Sequence, residues 1–220
     1  MPESLTAAVQ DYVKAIYSLD PGSGDAVTTT ALAERLDVRP ASVSGMLPKL
    51  TQLGLVEHEP YRGVRLTERG TRVALEIVRH HRLLELFLVE SLGMTWDEVH
   101  AEAEVLEHVL SEELEELIAA KLGDPAYDPH GDPIPSRELT VPADESRSLY
   151  GLEPGVSATF VRVSDSDPAM LRFLSERGIA PGAELEVVDR QPFDGPLYVR
   201  VGDDVHVLGA VLARAMRVAV

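Results

Sequence analysis

The amino-acid sequence predicts a mostly helical chain that ends in an all-β domain. Three observations carry that expectation. Apolar residues recur at helical spacing through the first half of the chain. Five prolines then fall between Gly123 and Pro142, which marks a linker or extended strap. Beyond it, short strand-like runs dominate, interrupted by a single helical stretch from Asp167 to Arg177.

The elements follow in order. From Leu5 to Leu19, Val9, Val13, Ile16 and Tyr17 give an amphipathic helix, and Pro21-Gly22-Ser23-Gly24-Asp25 breaks it. Thr28, Thr29 and Thr30 offer an N-cap to a short helix carrying Ala31, Leu32 and Leu36. A tight turn at Asp37-Val38-Arg39 leads into a helix opened by Pro40 and ending around Gly54. Pro48 inside it removes a hydrogen bond, so the helix is expected to kink there or stop early. Leu55 to Glu59 and Val64 to Thr67, joined through Pro60 and Gly63, read as a β-hairpin. Thr67 can cap a long helix to about Ser91. Thr95-Trp96-Asp97-Glu98 resembles a capping box for another helix towards Leu110, and Ser111-Glu112-Glu113 restarts helix through Leu122. Ala158 to Val163, Glu184 to Val188, Leu197 to Val201 and Val205 to Leu208 suggest a small barrel of about five strands.

Composition bounds the chemistry. The chain has 220 residues and no cysteine, which excludes disulfides, thiolate metal sites and cysteine nucleophiles. No apolar run approaches the ~18 residues of a membrane span, and the N-terminus lacks an export signal, so a cytoplasmic protein is expected. The net charge of −17 is unevenly spread. Ala26 to Leu75 holds seven basic residues against five acidic ones, whereas Glu90 to Glu145 holds sixteen acidic against two basic. The first segment suits phosphate and the second a cation.

Helix, short helix, turn, helix, hairpin is the order of a winged helix-turn-helix. Its second helix would enter the major groove, with Arg39, Ser42 and Ser44 near base edges and phosphates. Lys49, Arg62 and Arg65 would hold the DNA backbone. The alternative is a helical subdomain with a solvated charged face.

The metal signal is sharper. His100, Glu104, Glu107 and His108 stand at i, i+4, i+7 and i+8, on one face of a helix. His81 and Glu85 repeat the i, i+4 spacing on the helix before it, and antiparallel packing would bring the sets together. Imidazole and carboxylate without thiolate suit Mn²⁺, Fe²⁺, Ni²⁺ or Zn²⁺. The alternative is an acidic helix with solvated glutamates. His58, His130 and His206 lack such spacing and are expected to be structural or exposed.

The winged unit, H-R-L-L-E at His81 to Glu85, V-H-A-E-A-E-V-L-E-H at Val99 to His108, and D-P-H-G-D-P-I-P at Asp128 to Pro135 together resemble the diphtheria toxin repressor family, especially its manganese-responsive actinobacterial members. The resemblance covers nearly the whole chain. It implies three domains: a DNA-binding domain over residues 1–75, a helical metal-binding and dimerisation domain with its strap over 76–142, and an SH3-like barrel over 143–220. It also implies a homodimeric, non-enzymatic repressor of metal-homeostasis genes. The expected corepressor is Mn²⁺ or, alternatively, Fe²⁺, and the expected partner is palindromic operator DNA. The primary site would use Asp11 with Glu104, Glu107 and His108. The ancillary site would use His81, Glu85 and His100, completed by Asp167 or, alternatively, Asp165. Iron-selective relatives carry methionine and cysteine where this chain has Asp11 and Glu104, so the harder donors here favour Mn²⁺. Two positions depart from the pattern. Lys14 stands where short manganese regulators have an acid, and Met170 stands where iron-selective members have a glutamine ligand. The rivals from other classes are a helical di-metal carboxylate enzyme and a metal buffer, neither of which needs the winged unit.

Overall fold

The computed structural model describes residues 5–20, 26–59, 62–165 and 167–220. The break expected at 21–25 and the hairpin tip at 60–61 lie outside them. The chain divides into two compact units. One comprises Met1–His81, Leu106–Leu110 and Pro135–Thr140, and the other Arg82–Val105, Ser111–Ile134 and Val141–Val220.

In the first unit, helix α1 (Ala7–Leu19) buries Val9, Tyr12, Val13 and Ile16 along one stripe. That leaves Gln10, Asp11 and Lys14 on its flank. Helix α2 (Thr29–Arg35) is capped as its sequence suggests, the Thr28 hydroxyl accepting from the Ala31 amide at 3.1 Å. Asp37 then takes a positive φ of 50°, tightening the turn into α3 (Pro40–Gln52). Of the two outcomes expected at Pro48, the early stop does not occur: α3 runs through it. Val43, Leu47 and Leu50 fix its buried face on both sides, while Pro48 and Ser44, whose carbonyl loses its helical donor, face solvent.

The hairpin pairs β1 (Val56–Glu59) with β2 (Gly63–Leu66) in antiparallel register, Val56 opposite Leu66. A bridge from Val27 to Val64 stitches the segment before α2 onto it. Thr67 accepts from the Gly70 amide at 3.0 Å and starts helix α4 (Glu68–Leu92).

Helix α5 (Val99–Leu106), almost all of it in the second unit, is shorter than the sequence suggested, and residues 107–109, which belong to the first, form a turn. Glu107 and His108 therefore leave the helix that carries His100 and Glu104. The cause is the next helix, α6 (Glu112–Lys121), whose N-cap Ser111 is extended and accepts from the Leu114 amide. The chain must turn within a few residues to reach it. Val105 and Val109, which lengthened the apolar pattern, are exposed.

The C-terminal part forms a six-stranded antiparallel sheet ordered β3-β8-β4-β5-β6-β7. Its strands are β3 (Arg147–Ser148), β4 (Ser157–Arg162), β5 (Glu184–Arg190), β6 (Leu197–Val201), β7 (Asp204–Leu208) and β8 (Arg217–Ala219). Helices α7 (Pro168–Ser175) and α8 (Ala210–Ala215) pack with it. Phe160, Leu171, Leu174, Val187 and Val199 are sealed in its core.

The strap is anchored on this sheet. The Asp128 carboxylate accepts from the His130 and Asp132 amides at 2.8 and 2.9 Å, closing a tight loop. The His130 carbonyl accepts from the Val163 amide at 3.0 Å. Gly131 makes this approach possible: its φ is +87°, and a Cβ there would lie 1.8 Å from the Val161 carbonyl oxygen. Gly131→Ala is expected to destabilise the protein by at least ~2 kcal/mol in denaturant unfolding. Gly45→Ala in α3 meets nothing within 4 Å and is expected to add ~0.5–1 kcal/mol in the same assay.

Candidate metal centres

Among the described residues, acid and imidazole side chains gather around one buried glutamate in each unit. In the first unit, α1 and the turn after α5 bring Asp11, Glu107 and His108 together, with one donor atom of each within 4.8 Å of the others. His108 Nε2 lies 2.9 Å from Asp11 Oδ1. Its Nδ1 donates to the Gln10 side-chain carbonyl at 2.7 Å. That bond fixes the ring and turns Nε2 towards Asp11, which is the role of an orienting partner behind a metal-binding histidine. Gln10 was not singled out from the sequence; its only signal is its place beside Asp11.

Glu107 is 1% exposed. Its Oε2 accepts from Lys14 at 2.7 Å and lies 2.5 Å from His81 Nδ1. Its Oε1 has no hydrogen-bond partner among the described residues and lies 3.9 Å from His108 Nε2. The neighbouring His80 reaches the Glu107 backbone carbonyl at 3.3 Å, so both histidines of the α4 pair are used. A buried carboxylate oxygen without a donor is costly unless a cation faces it.

In the second unit, α4 supplies Glu85, which is 0% exposed. His100 on α5 lies 3.3 Å from Glu85 Oε1 and 3.0 Å from Asp165 Oδ2. Glu104, one turn on, is 3.7 Å from His100 Nε2. Of the two acids the sequence offered at this place, Asp167 and Asp165, the structure puts Asp165 there, because Asp167 caps α7, its carboxylate accepting from the Ala169 amide at 2.9 Å. Met170, on α7, packs against the core of the C-terminal sheet.

The strap adds two acid-and-imidazole positions that sequence spacing missed. Asp128 and His130 are buried beside Glu85, again with donor atoms within 4.8 Å. His130 Nδ1 faces Glu85 Oε2 at 3.6 Å, too far for a hydrogen bond, and has no other partner for one among the described residues. Its Nε2 is 2.7 Å from the Trp96 carbonyl, and the Trp96 ring stacks on the imidazole. Of the two expectations for His130, exposed is excluded: it is fully buried beside Glu85. The signal lay in the D-P-H-G-D loop, which presents an acid and an imidazole two residues apart.

The electrostatics report crowded negative charge. His100 holds its proton up to about 10, through its bonds to Asp165 and then Glu85, against the effect of burial. Burial lowers His130, but Glu85 and Asp128 override it and hold it near about 9. Asp128 is pushed up to about 8 by burial and by Asp132 and Glu85, with Arg82 opposing. Protons fill the second centre where no other cation does. The donors of both centres are oxygen and nitrogen only, matching a borderline or hard divalent ion.

The residues expected at DNA are exposed. Arg39 is the N-cap of α3, Ser42 and Ser44 lie on its first turns, and Lys49 on its last. Ser44 turns its hydroxyl onto the Pro40 carbonyl at 3.1 Å. Arg65 projects from β2, and Arg62, beside the hairpin tip, pairs with Glu59 at 3.1 Å. Of the described residues, no helix is long and apolar enough to cross a membrane.

Comparison with known proteins agrees with this geometry. Residues 4–64 match the N-terminal DNA-binding domain of iron dependent repressors, 67–136 their metal binding and dimerisation domain, and 147–220 the FeoA domain. The iron-dependent repressor IdeR of Mycobacterium bovis is 32% identical across 97% of both chains. The diphtheria toxin repressor of Corynebacterium efficiens is 28% identical across 86% of both. A manganese-dependent transcriptional repressor solved with manganese superposes with a TM-score of 0.89 at 44% identity, covering 96% of this chain and 99% of its own. These relatives are repressors, not enzymes. The chain belongs to the diphtheria toxin repressor family and is a metal-dependent transcriptional repressor.

Proposed function

We propose that Mn²⁺ is the activating metal, and that the loaded protein binds a palindromic operator as a homodimer to control metal-homeostasis genes. The observation that carries this reading is the donor set. Asp11, Glu107 and His108 at one centre, and Glu85, His100 and Asp165 with Asp128 and His130 at the other, offer carboxylate and imidazole but no sulfur. The manganese-bound relative supports the same choice. Glu104 at the first centre and His81 at the second are assigned by the family resemblance.

A bound divalent ion supplies the positive charge that buried carboxylates lack. Asp11 belongs to the helix that packs against α2, while Glu107 and His108 belong to the turn after α5. Drawing them onto one point fixes α1, and with it the helices that carry Arg39 and Ser42. The DNA-competent arrangement is selected from those already present. Residues 1–75 are proposed to bind DNA, 76–142 metal and the second copy, and 143–220 to complete the second centre through Asp165. Leu92, Val105, Leu114 and Leu117 leave large apolar groups in solvent and are proposed as dimer contacts.

Three outcomes are expected. Anisotropy with DNA from the protein's own promoter should show at least tenfold tighter binding in Mn²⁺ than in chelator, about 1.4 kcal/mol. Asp11→Ala should still bind metal yet lose that gain. Equal affinity in Mn²⁺ and chelator sinks the corepressor reading, and full activation by Fe²⁺ but not Mn²⁺ would replace the metal.

Arg65→Ala should weaken binding on all sequences and reduce the salt slope by about one unit. Arg39→Ala should change sequence preference, and both variants should keep parental metal affinity in calorimetry. Lost metal affinity in either would deny the division of labour.

The third outcome concerns pH. His100 and His130 titrate near about 10 and about 9, above the 6.5 of the unfolded chain. Their stabilisation is complete below 6.5 and is lost as pH rises through those values. Asp128, raised to about 8 from 3.8, acts in the same direction. The metal-free melting temperature should therefore fall from pH 6.5 towards 10, and Mn²⁺ binding should release protons, seen as a buffer-dependent calorimetric heat. A flat melting temperature and no proton release would contradict the protonated centre.

A further inference from the structure

We propose that Glu59 is a built-in counter-charge on the wing: it masks Arg62 and holds down the protein's sequence-independent grip on DNA. The inference rests on the reading of residues 1–75 as the DNA-binding part.

Charge is spread unevenly across that part. Helix α3 carries Lys49 and no acidic residue. The hairpin from Val56 to Leu66 carries two arginines and two acids, so with His58 neutral it has no net charge. The strand register sets Glu57 directly opposite Arg65 and Glu59 opposite Gly63. Residues two apart on a strand share a face. Glu57, Glu59 and Arg65 therefore stand together on the exposed face, away from buried Val56 and Val64. Arg62, next to Gly63, reaches Glu59, its Nη1 donating to Oε2 at 3.1 Å. Both side chains are open to solvent, 78% and 55% exposed, so the pair contributes little to the stability of the fold.

Its effect falls on DNA instead. An arginine that meets a phosphate releases counterions and tightens binding to any sequence. Arg62 must first give up its carboxylate, and Glu59 then remains near the phosphate as a like charge. Both effects subtract from affinity, and neither depends on the bases. A metal-dependent repressor has to leave DNA when its metal is lost. The grip that persists without metal is the electrostatic one, and that is the part Glu59 trims. Because it lowers metal-free and metal-loaded affinity by the same factor, the coupling to metal is unchanged while the metal-free protein lets go more readily.

The test is fluorescence anisotropy on the full-length protein, with DNA from its own promoter and with an unrelated duplex, each in Mn²⁺ and in chelator. Glu59→Gln should tighten binding to both duplexes by one factor in both conditions, and more at low salt than at high. That gain should be about two- to fivefold larger with Arg62 present than in an Arg62→Gln background, because only the first holds a masked arginine to release. Equal gains in the two backgrounds reduce Glu59 to a plain charge and overturn the masking. No gain with Arg62 present overturns the proposal outright, and a gain confined to promoter DNA or to one metal condition overturns its sequence-independent role. In each of these cases salt-dependent binding by the parent leaves the DNA-binding part standing. A parent whose affinity for either duplex does not fall with salt removes that reading and this proposal together.

Discussion

Burying a carboxylate is among the most expensive acts in folding, and this protein buries Glu85 and Glu107 almost completely. Much of the surrounding structure answers that cost. Around Glu107 stand Lys14, His81 and His108; around Glu85 stand His100 and His130. The histidines near Glu85 keep their protons well above their ordinary range for the same reason. Such a site is poised for exchange: a metal ion replaces protons that the fold has already gathered, and the same carboxylates serve both states. On the proposed assignment, sensitivity to metal is a property of how deeply two glutamates are sunk.

The helical half of this design was legible in the sequence because helices repeat at short range. Val9, Val13 and Ile16 disclosed the buried stripe of α1, and with it the flank that displays Asp11. Thr28 and Ser111 announced helix starts through capping chemistry that depends on three residues alone. The pairs His81–Glu85 and His100–Glu104 could be read for the same reason. The family likeness supplied Asp11, which no spacing rule connects to residues nearly a hundred positions away.

What escaped was set by tertiary structure. His130 meets Glu85 across 45 positions, as their numbers show, and only the docked strap unites them. Asp165 and Asp167 are equivalent as letters; the choice between them is made by the start of α7, which consumes one as a cap. The end of α5 was misjudged because Val105 and Val109 continue a helical apolar rhythm although they face solvent. Strands β3 and β8, two and three residues long, are too short to show any alternation.

The strap bond from Val163 to His130 has a consequence for how the protein is made. Helix α4 provides Glu85, the strap provides His130, and the loop after β4 provides Asp165. Strand β4, on which the strap rests, is itself completed by β8, Phe160 pairing with Val218. A chain emerging from the ribosome therefore holds Glu85 long before it holds the sheet that positions the other ligands. On the proposed assignment the second centre is assembled only once β8 has joined the sheet, so a polypeptide cut short before that strand would hold Glu85 but not the groups that complete the site.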